Sequence, residues 1–121
     1  MTTYLTLEDL VTLVNDLRVG PIRDIGLLDS AAHRPSSVIY GHESYPSTDL
    51  KAAVLLESIV RNHAPVDGNK RLAWLAVVVF YALNDIDLNA PDDEAFDLVV
   101  SMAAGVTDAA RAAEKFANWY G

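Results

Sequence analysis

The sequence contains no cysteine, few basic residues and no long apolar run. Without cysteine the protein has no disulfide framework, no thiol nucleophile and no thiolate metal site. Its 9 lysines and arginines stand against 17 aspartates and glutamates, which gives a formal net charge of −8. This balance argues against direct binding of nucleic acid, because a phosphate backbone requires a basic protein surface. The longest apolar run, residues 72–83, is well short of the roughly 20 residues that a membrane span needs, so we expect no membrane partner.

Length and composition indicate one globular domain. The chain has 121 residues, of which 51% are hydrophobic. A chain of this size can bury a substantial core, and the apolar fraction argues against disorder. We therefore predict a single domain over residues 1–121. Residues 1–7 lack the basic segment and following apolar stretch of a secretory signal, so we expect a cytoplasmic protein.

Apolar residues recur at helical spacing along most of the chain and predict six α-helices. The first is the clearest, since Thr6 is a typical N-cap residue and Asp9 stands at the capping-box position. The predicted helices cover residues 7–18 and 26–34, a segment from Ser47 or Thr48 to residue 62, residues 71–84, a segment from Pro91 to Gly105, and a last helix capped by Thr107.

Two segments decide the architecture. Residues 72–83 are apolar on nearly every face, which predicts that their helix is the buried centre of a bundle. Residues 36–47 are polar and irregular, and Val38, Ile39 and Tyr40 are compatible with a small β-hairpin. We therefore predict an all-α fold, a compact six-helix bundle with a buried central helix and a short irregular or β-hairpin segment.

The residues with the most chemistry lie together in residues 63–71, His-Ala-Pro-Val-Asp-Gly-Asn-Lys-Arg. Pro65 must interrupt the helices on either side, because its ring and its missing N–H stop the preceding helix. Gly68 then permits a tight turn or a close approach to the backbone. Lys70 and Arg71 open the next helix, where two cations oppose the helix dipole, and a bound phosphate would remove that conflict. The stretch therefore indicates a phosphate site beside a histidine.

This stretch resembles the signature of the Fic/Doc family, H-x-F-x-[DE]-G-N-[GK]-R, in the form found in the Doc (death-on-curing) toxins of type II toxin–antitoxin systems. Every fixed position matches except the phenylalanine, which is Pro65 in this chain. The pattern Arg-Asp-x-Gly-Leu-Leu-Asp-Ser from Arg23 and the Ala-Ala-Gly that ends at Gly105 are also similar to Doc relatives. The resemblance implies a Fic/Doc-like bundle in which the segment equivalent to residues 36–47 is a flap over the active site.

The first two polar positions of the motif each have a structural alternative to catalysis. His63 either caps carbonyls at a helix end or acts as a general base, a task for which an imidazole that is mostly neutral at pH 7 is suited. Asp67 either caps the next helix or binds Mg²⁺, which proteins hold through one or two carboxylates together with substrate phosphates. The resemblance implies the base and the metal ligand.

The other motif positions are implied to handle phosphate. Gly68 and Asn69 are ordinary turn residues, but in the family their backbone N–H groups hold phosphate oxygens. Lys70 and Arg71 would stabilise the charge of the transferred group rather than form a solvated pair. Arg61, one turn earlier, is a further candidate for phosphate binding. The predicted catalytic residues are therefore His63, Asp67, Lys70 and Arg71.

The residue at position 70 distinguishes adenylyl transfer from γ-phosphate transfer in this family. Fic enzymes that transfer adenylyl groups resemble this motif but have glycine here, which leaves room for a nucleotide diphosphate. A lysine side chain obstructs that pose and offers a point charge to a phosphate. Doc relatives with this lysine are protein kinases that bind ATP in the reverse orientation. The resemblance therefore implies transfer of the γ-phosphate of ATP, with Mg²⁺, to a Ser or Thr hydroxyl of elongation factor Tu, which arrests translation.

A cognate antitoxin is also implied. Fic proteins that restrain themselves carry [ST]-x-x-x-E-[GN], and no glutamate of this chain has Ser or Thr four residues before it. Restraint would then come from another chain. Two alternatives stay open at this point: a non-catalytic binding module, to which Pro65 points, and an adenylyl transferase, which Lys70 opposes.

Overall fold

Six helices account for most of the residues that the structure describes. The structure, a computed structural model, describes residues 1–62 and 68–120. Within these ranges the chain forms six α-helices and one two-stranded sheet, which confirms the predicted all-α class. The helices are α1 (Leu7–Leu17), α2 (Ile25–His33), α3 (Thr48–Asn62), α4 (Asn69–Leu83), α5 (Asp92–Ala103) and α6 (Ala109–Tyr120), with a 3₁₀ turn (Arg34–Ser36) after α2 and the strands β1 (Val38–Ile39) and β2 (His42–Glu43).

Polar side chains cap the N-termini of α1 and α6. The Thr6 hydroxyl accepts a hydrogen bond from the Asp9 amide, and the Asp9 carboxylate accepts one from the Thr6 amide, at 3.1 and 2.9 Å. This confirms the predicted capping box. The cap of α6 is Asp108, which accepts from the Arg111 amide at 2.9 Å, so the prediction of Thr107 was wrong by one residue. A carboxylate at this position also interacts favourably with the positive end of the helix dipole.

The predicted buried central helix is present, but it is α3 and not α4. Every residue of α3 from 51 to 56 is buried, and so are residues 58–60. The helix packs against α2, α4, α5 and α6. Its sequence is less apolar than that of α4, and two of its buried residues, Lys51 and Ser58, are polar. Hydrogen bonds, described below, are what make that burial possible.

Helix α4 is apolar on nearly every face, but its neighbours cover only part of it. Leu72, Val77 and Phe80 are buried, whereas Trp74 and Val78 are half-buried. The half-buried side chains line an open groove against α5. An apolar helix can thus line a groove as well as fill a core, and hydropathy alone does not separate the two.

The predicted β-hairpin is confirmed. Strands β1 and β2 pair in antiparallel fashion, and the turn residues Tyr40 and Gly41 have φ of 51° and 77°. Two positive φ values in a two-residue turn match the right-handed twist of the strands. The side chains of Val38, Ile39 and Tyr40 are exposed.

The C-terminal helix is tied to the centre of the bundle by hydrogen bonds. One carboxylate oxygen of Asp49, in the first turn of α3, accepts from the Tyr81 and Tyr120 hydroxyls, each at 2.7 Å. The ends of α4 and α6 therefore meet the start of α3. Among the helices that the structure describes, none is both long enough and apolar enough to cross a membrane.

Candidate functional site

The predicted site lies between the end of α3 and the start of α4. His63 and Asp67, together with Pro65, fall outside the described residues, so their roles stay predictions. Arg61 belongs to the last turn of α3. Gly68 is the N-cap residue of α4, and the first turn of the helix contains Asn69, Lys70 and Arg71.

Gly68 is held in a conformation that only glycine adopts readily. Its φ is +76°, in the left-handed region. The side chain of Val19, which follows α1, occupies the space that a Cβ atom at Gly68 would need. Val19 is itself part of the hydrophobic core. The start of α4 is therefore fixed by direct contact with the segment after α1.

The N-terminus of α4 has the properties of an anion site. Gly68 makes no side-chain capping hydrogen bond, and the first turn of a helix presents N–H groups that have no acceptor within the helix. Lys70 and Arg71 are exposed at this end. Backbone donors, the positive end of the helix dipole and two cations together favour a phosphate group.

Arg61 is held by two neighbours. Its Nη1 lies 3.3 Å from Glu57 Oε2, and its Nη2 donates to the Thr107 carbonyl at 3.4 Å. A guanidinium group has five N–H donors, so these two contacts leave others for an anion. Arg61 therefore has a fixed position at the end of α3, which is compatible with its predicted role.

Asp67 carries the predicted magnesium site, which the described residues do not test. Among residues 1–62 and 68–120, no three His, Asp or Glu side chains are grouped so that they could hold a metal ion. Magnesium does not need such a group, because one or two carboxylates and the oxygens of a bound phosphate are often its ligands.

An apolar groove of about 580 Å³ adjoins this end of α4. Lys70 and Arg71 belong to its lining, which continues along α4 to Val78, a distance of about 12 Å at the rise of an α-helix. Phe96 on the α5 side is 68% exposed. The groove and the anion site therefore share two side chains. The full lining is Leu17, Lys70, Arg71, Trp74, Leu75, Val78, Asp92, Ala95, Phe96, Val99 and Val100.

Sequence reasoning missed two cations that hold the segment after β2. Lys51 is buried and Arg34 is half-buried, and both contact Tyr45. Burial would lower the pKa of Arg34, but hydrogen bonds to Tyr45 and Glu57 outweigh it and the pKa is raised. The burial of Lys51 could have been inferred from its spacing, because it lies one helical turn before buried Leu55 on the same face of α3.

Comparison with known proteins agrees with the motif. Residues 4–81 match the family model described as Fic/DOC family. A protein of Mycolicibacterium smegmatis (strain ATCC 700084 / mc(2)155) named Toxin Doc is 47% identical over 95 residues, which cover 77% of this chain and 73% of that protein. The family match spans the structure from the segment before α1 to the last part of α4 and includes the whole motif, so the resemblance is confirmed. The chain belongs to the Fic/Doc family.

Proposed function

We propose that this protein is a Doc-like toxin that transfers the γ-phosphate of ATP to a Ser or Thr hydroxyl of a protein. The observation that carries the proposal is the start of α4, where the exposed Lys70 and Arg71 lie in the first turn of the helix, just after Gly68. The similarity to Toxin Doc supports a toxin. The chemistry of the site supports phosphoryl transfer.

The start of α4 fits the phosphates of ATP. Phosphoryl transfer depends mainly on positioning and on stabilisation of the charge on the transferred group. The donors at this end are backbone N–H groups, the Lys70 ammonium and the Arg71 guanidinium, which together match the oxygens of a triphosphate. Magnesium, held by Asp67, would neutralise further phosphate charge.

His63 is the proposed general base. In the transfer step, the target hydroxyl oxygen forms a bond to the γ-phosphorus while the bond from that phosphorus to the β–γ bridging oxygen breaks. The hydroxyl proton passes to the imidazole of His63, and ADP leaves. A positioned base typically contributes roughly 10²–10⁴-fold to the rate, and charge stabilisation by Lys70 and Arg71 is expected to contribute more.

The target that the family resemblance suggests is elongation factor Tu, and the proposed effect is arrest of translation. Lys70 favours γ-phosphate transfer over adenylyl transfer, because a lysine side chain in the first turn would obstruct a diphosphate that lies close to the backbone. The acidic chain as a whole is consistent with a protein substrate rather than a nucleic acid.

We further propose that a cognate antitoxin covers the apolar groove between α4 and α5. The groove exposes large side chains such as Phe96, and contiguous apolar surface of this kind commonly marks a protein interface. Because Lys70 and Arg71 line it, an acidic apolar segment of the antitoxin would also neutralise the phosphate-binding cations. Occupation of the groove would thus restrain the toxin.

The proposal is tested by incubating the purified protein with elongation factor Tu, Mg²⁺ and ATP labelled separately at the α and γ positions. We expect label on the factor from γ-labelled ATP alone. The His63→Ala variant, folded to the same extent by circular dichroism, should transfer label at least about 100-fold more slowly. The same assay on a bacterial cytoplasmic extract identifies the acceptor if it is another protein.

Each alternative gives a different result. Label from the α position would show an adenylyl transferase. Absence of label from both positions in factor and extract, together with normal growth on expression, would show a non-catalytic binding module and would refute the proposed function.

A further inference from the structure

The β1–β2 hairpin cannot fix its own position. Each strand has two residues, and Val38, Ile39 and Tyr40 are 59%, 60% and 97% exposed. An isolated two-stranded hairpin is marginally stable in water at best. Contacts outside the strands must therefore hold it against the bundle.

Lys51 makes one set of these contacts. Its side chain is 1% exposed, and its Nζ donates to Glu43 Oε1 at 3.0 Å and to the Tyr45 carbonyl. The same nitrogen lies 6.0 Å from the centroid of the Tyr4 ring. A buried ammonium is costly unless its donors have acceptors. Here the acceptors come from β2 and from the segment just after it.

Arg34 makes a second set of contacts that hold the hairpin against the bundle. Its Nε donates to the Tyr45 hydroxyl at 3.2 Å, and its guanidinium carbon lies 5.4 Å from the centroid of the same ring. Its Nη1 donates to Glu57 Oε1 at 2.8 Å and to Ser58 Oγ at 3.0 Å. Tyr45 is therefore held by its carbonyl from Lys51 and by its ring and hydroxyl from Arg34.

The same contacts reach the candidate site. Glu57 accepts from Arg34 through one carboxylate oxygen and pairs with Arg61 through the other, at 3.3 Å. Arg61 lies in the last turn of α3, immediately before the motif. One carboxylate thus connects the hairpin support to the end of the helix that leads into the site.

We propose that Lys51 and Arg34 are positioning residues for the protein substrate, because they hold the β1–β2 hairpin at one place on α3. The inference rests on the proposed function. Among the described residues, β1 and β2 pair only with each other, so each strand has an edge without a partner strand there, and the side chains of Val38 and Ile39 are exposed. An extended peptide segment can add to such an edge through backbone hydrogen bonds. A mobile hairpin would have to be ordered at each binding event, which lowers affinity for the substrate.

The first test is hydrogen exchange, which needs no activity. The Ser44 amide donates to the Ser37 carbonyl at 2.9 Å across the base of the hairpin. In Lys51→Met this amide should exchange about tenfold faster, while the amides of α3 keep their protection. Methionine is close to lysine in length, and the partner carboxylate of Glu43 has a side chain that is 54% exposed, so water can solvate it after the ammonium is removed.

The second test is kinetic. Lys51→Met should raise KM for the protein substrate about tenfold, which corresponds to the loss of one buried charged hydrogen bond. The KM for ATP and kcat at saturating protein should stay as in the wild type. A variant that is merely less stable would instead lose active enzyme and lower kcat.

Two further variants complete the design. Tyr45→Phe removes the hydroxyl that Arg34 binds and should show the same pattern, which keeps the proposal testable if Lys51→Met folds poorly. Lys115→Met removes a lysine charge at an exposed position of α6 and should change neither measurement.

Unchanged exchange of the Ser44 amide in both Lys51→Met and Tyr45→Phe would overturn the proposal, and so would equal increases in KM for ATP and for protein. If the wild-type protein transfers no phosphate to any protein, the proposed function fails. Hydrogen exchange then still decides whether these residues hold the hairpin.

Discussion

Val19 and Gly68 approach so closely that the first residue before α4 cannot carry a side chain. A Cβ atom at Gly68 would lie 2.3 Å from Val19 Cγ1 and 2.5 Å from Val19 Cβ. Rotation of the valine about χ1 moves its Cγ atoms but not its Cβ, so a rotamer change cannot relieve the overlap. The glycine of the motif therefore has a packing role as well as a conformational one.

We expect Gly68→Ala to lower stability and abolish transfer. The left-handed conformation costs a non-glycine residue about 1–2 kcal/mol, and overpacking against Val19 costs about 1–3 kcal/mol more. Because the backbone must shift to remove the overlap, the donors at the start of α4 move as well. The free energy of unfolding from urea titration and the γ-phosphate assay measure the two effects.

Gly105→Ala is the matched control for this prediction. Gly105 has the same φ of +76°, but nothing lies within 4 Å of a Cβ atom placed there. Gly105→Ala should lower the free energy of unfolding only by the cost of the left-handed conformation, about 1–2 kcal/mol, and should keep full activity. Equal losses of stability in the two variants would show that the contact with Val19 is unimportant.

Lys70→Gly should change which phosphate is transferred. Lys70 is exposed in the first turn of α4, so glycine there removes a long side chain, which would leave room for a diphosphate, and also removes one cation. We expect loss of γ-phosphate transfer and a gain of weak adenylyl transfer, measured with the two labelled forms of ATP.

Lys70→Met distinguishes the effect of the space opened at this position from the effect of the lost positive charge. Methionine keeps a long side chain but removes the charge, so γ-phosphate transfer should fall without any gain of adenylyl transfer. If Lys70→Gly retains wild-type γ-phosphate transfer, this lysine does not select the chemistry.

Features that depend on nearby residues could be predicted from the sequence. The capping box of Thr6 and Asp9 and the β-hairpin that includes Val38 and Ile39 are examples, since each needs only side-chain or backbone properties within a few positions. The same holds for the motif at the start of α4, where Gly68 and the two cations that follow are contiguous.

Features that depend on distant residues could not be predicted in this way. Arg34, Tyr45 and Glu57 belong to three elements, and nothing in the spacing of their positions indicates that they meet. The burial of Lys51 likewise depends on Glu43 and the Tyr45 carbonyl. The open side of α4 was missed for the same reason, because an apolar face does not reveal whether a neighbour covers it.

The hydrogen bonds to Asp49 should make stability depend on alkaline pH. Burial, followed by the hydrogen bond to Asp49, raises the pKa of Tyr81 far above its ordinary value and that of Tyr120 to about 12. The native protein therefore retains phenolic protons that the unfolded chain loses near pH ~10. The stabilisation is complete below about pH 10 and is lost as the pH rises through the native pKa values.

Urea unfolding at a series of pH values from neutral to strongly alkaline tests this expectation. Tyr81→Phe should flatten the fall in unfolding free energy more than Tyr120→Phe, because Tyr81 is fully buried and solvent screens the exposed Tyr120. Tyr40→Phe, at a 97% exposed position, should leave the profile unchanged. A wild-type profile equal to that of Tyr81→Phe would contradict the assignment.

Phe96→Asp should free the toxin from its antitoxin without reducing toxicity. Phe96 is 68% exposed in the groove, so its replacement should change the unfolding free energy by no more than about 0.5 kcal/mol. A carboxylate at position 96 loses its hydration when the antitoxin segment covers it, and it repels the acidic residues of that segment, so binding weakens. The cognate antitoxin is first selected from the surrounding genomic DNA as the gene that rescues cells expressing the wild-type toxin. We expect that this antitoxin no longer relieves the growth arrest caused by Phe96→Asp.

Val106→Asp is the control, because Val106 is 71% exposed but lies outside the groove lining, and rescue should persist there. Full rescue of Phe96→Asp would place the antitoxin on another surface of the toxin.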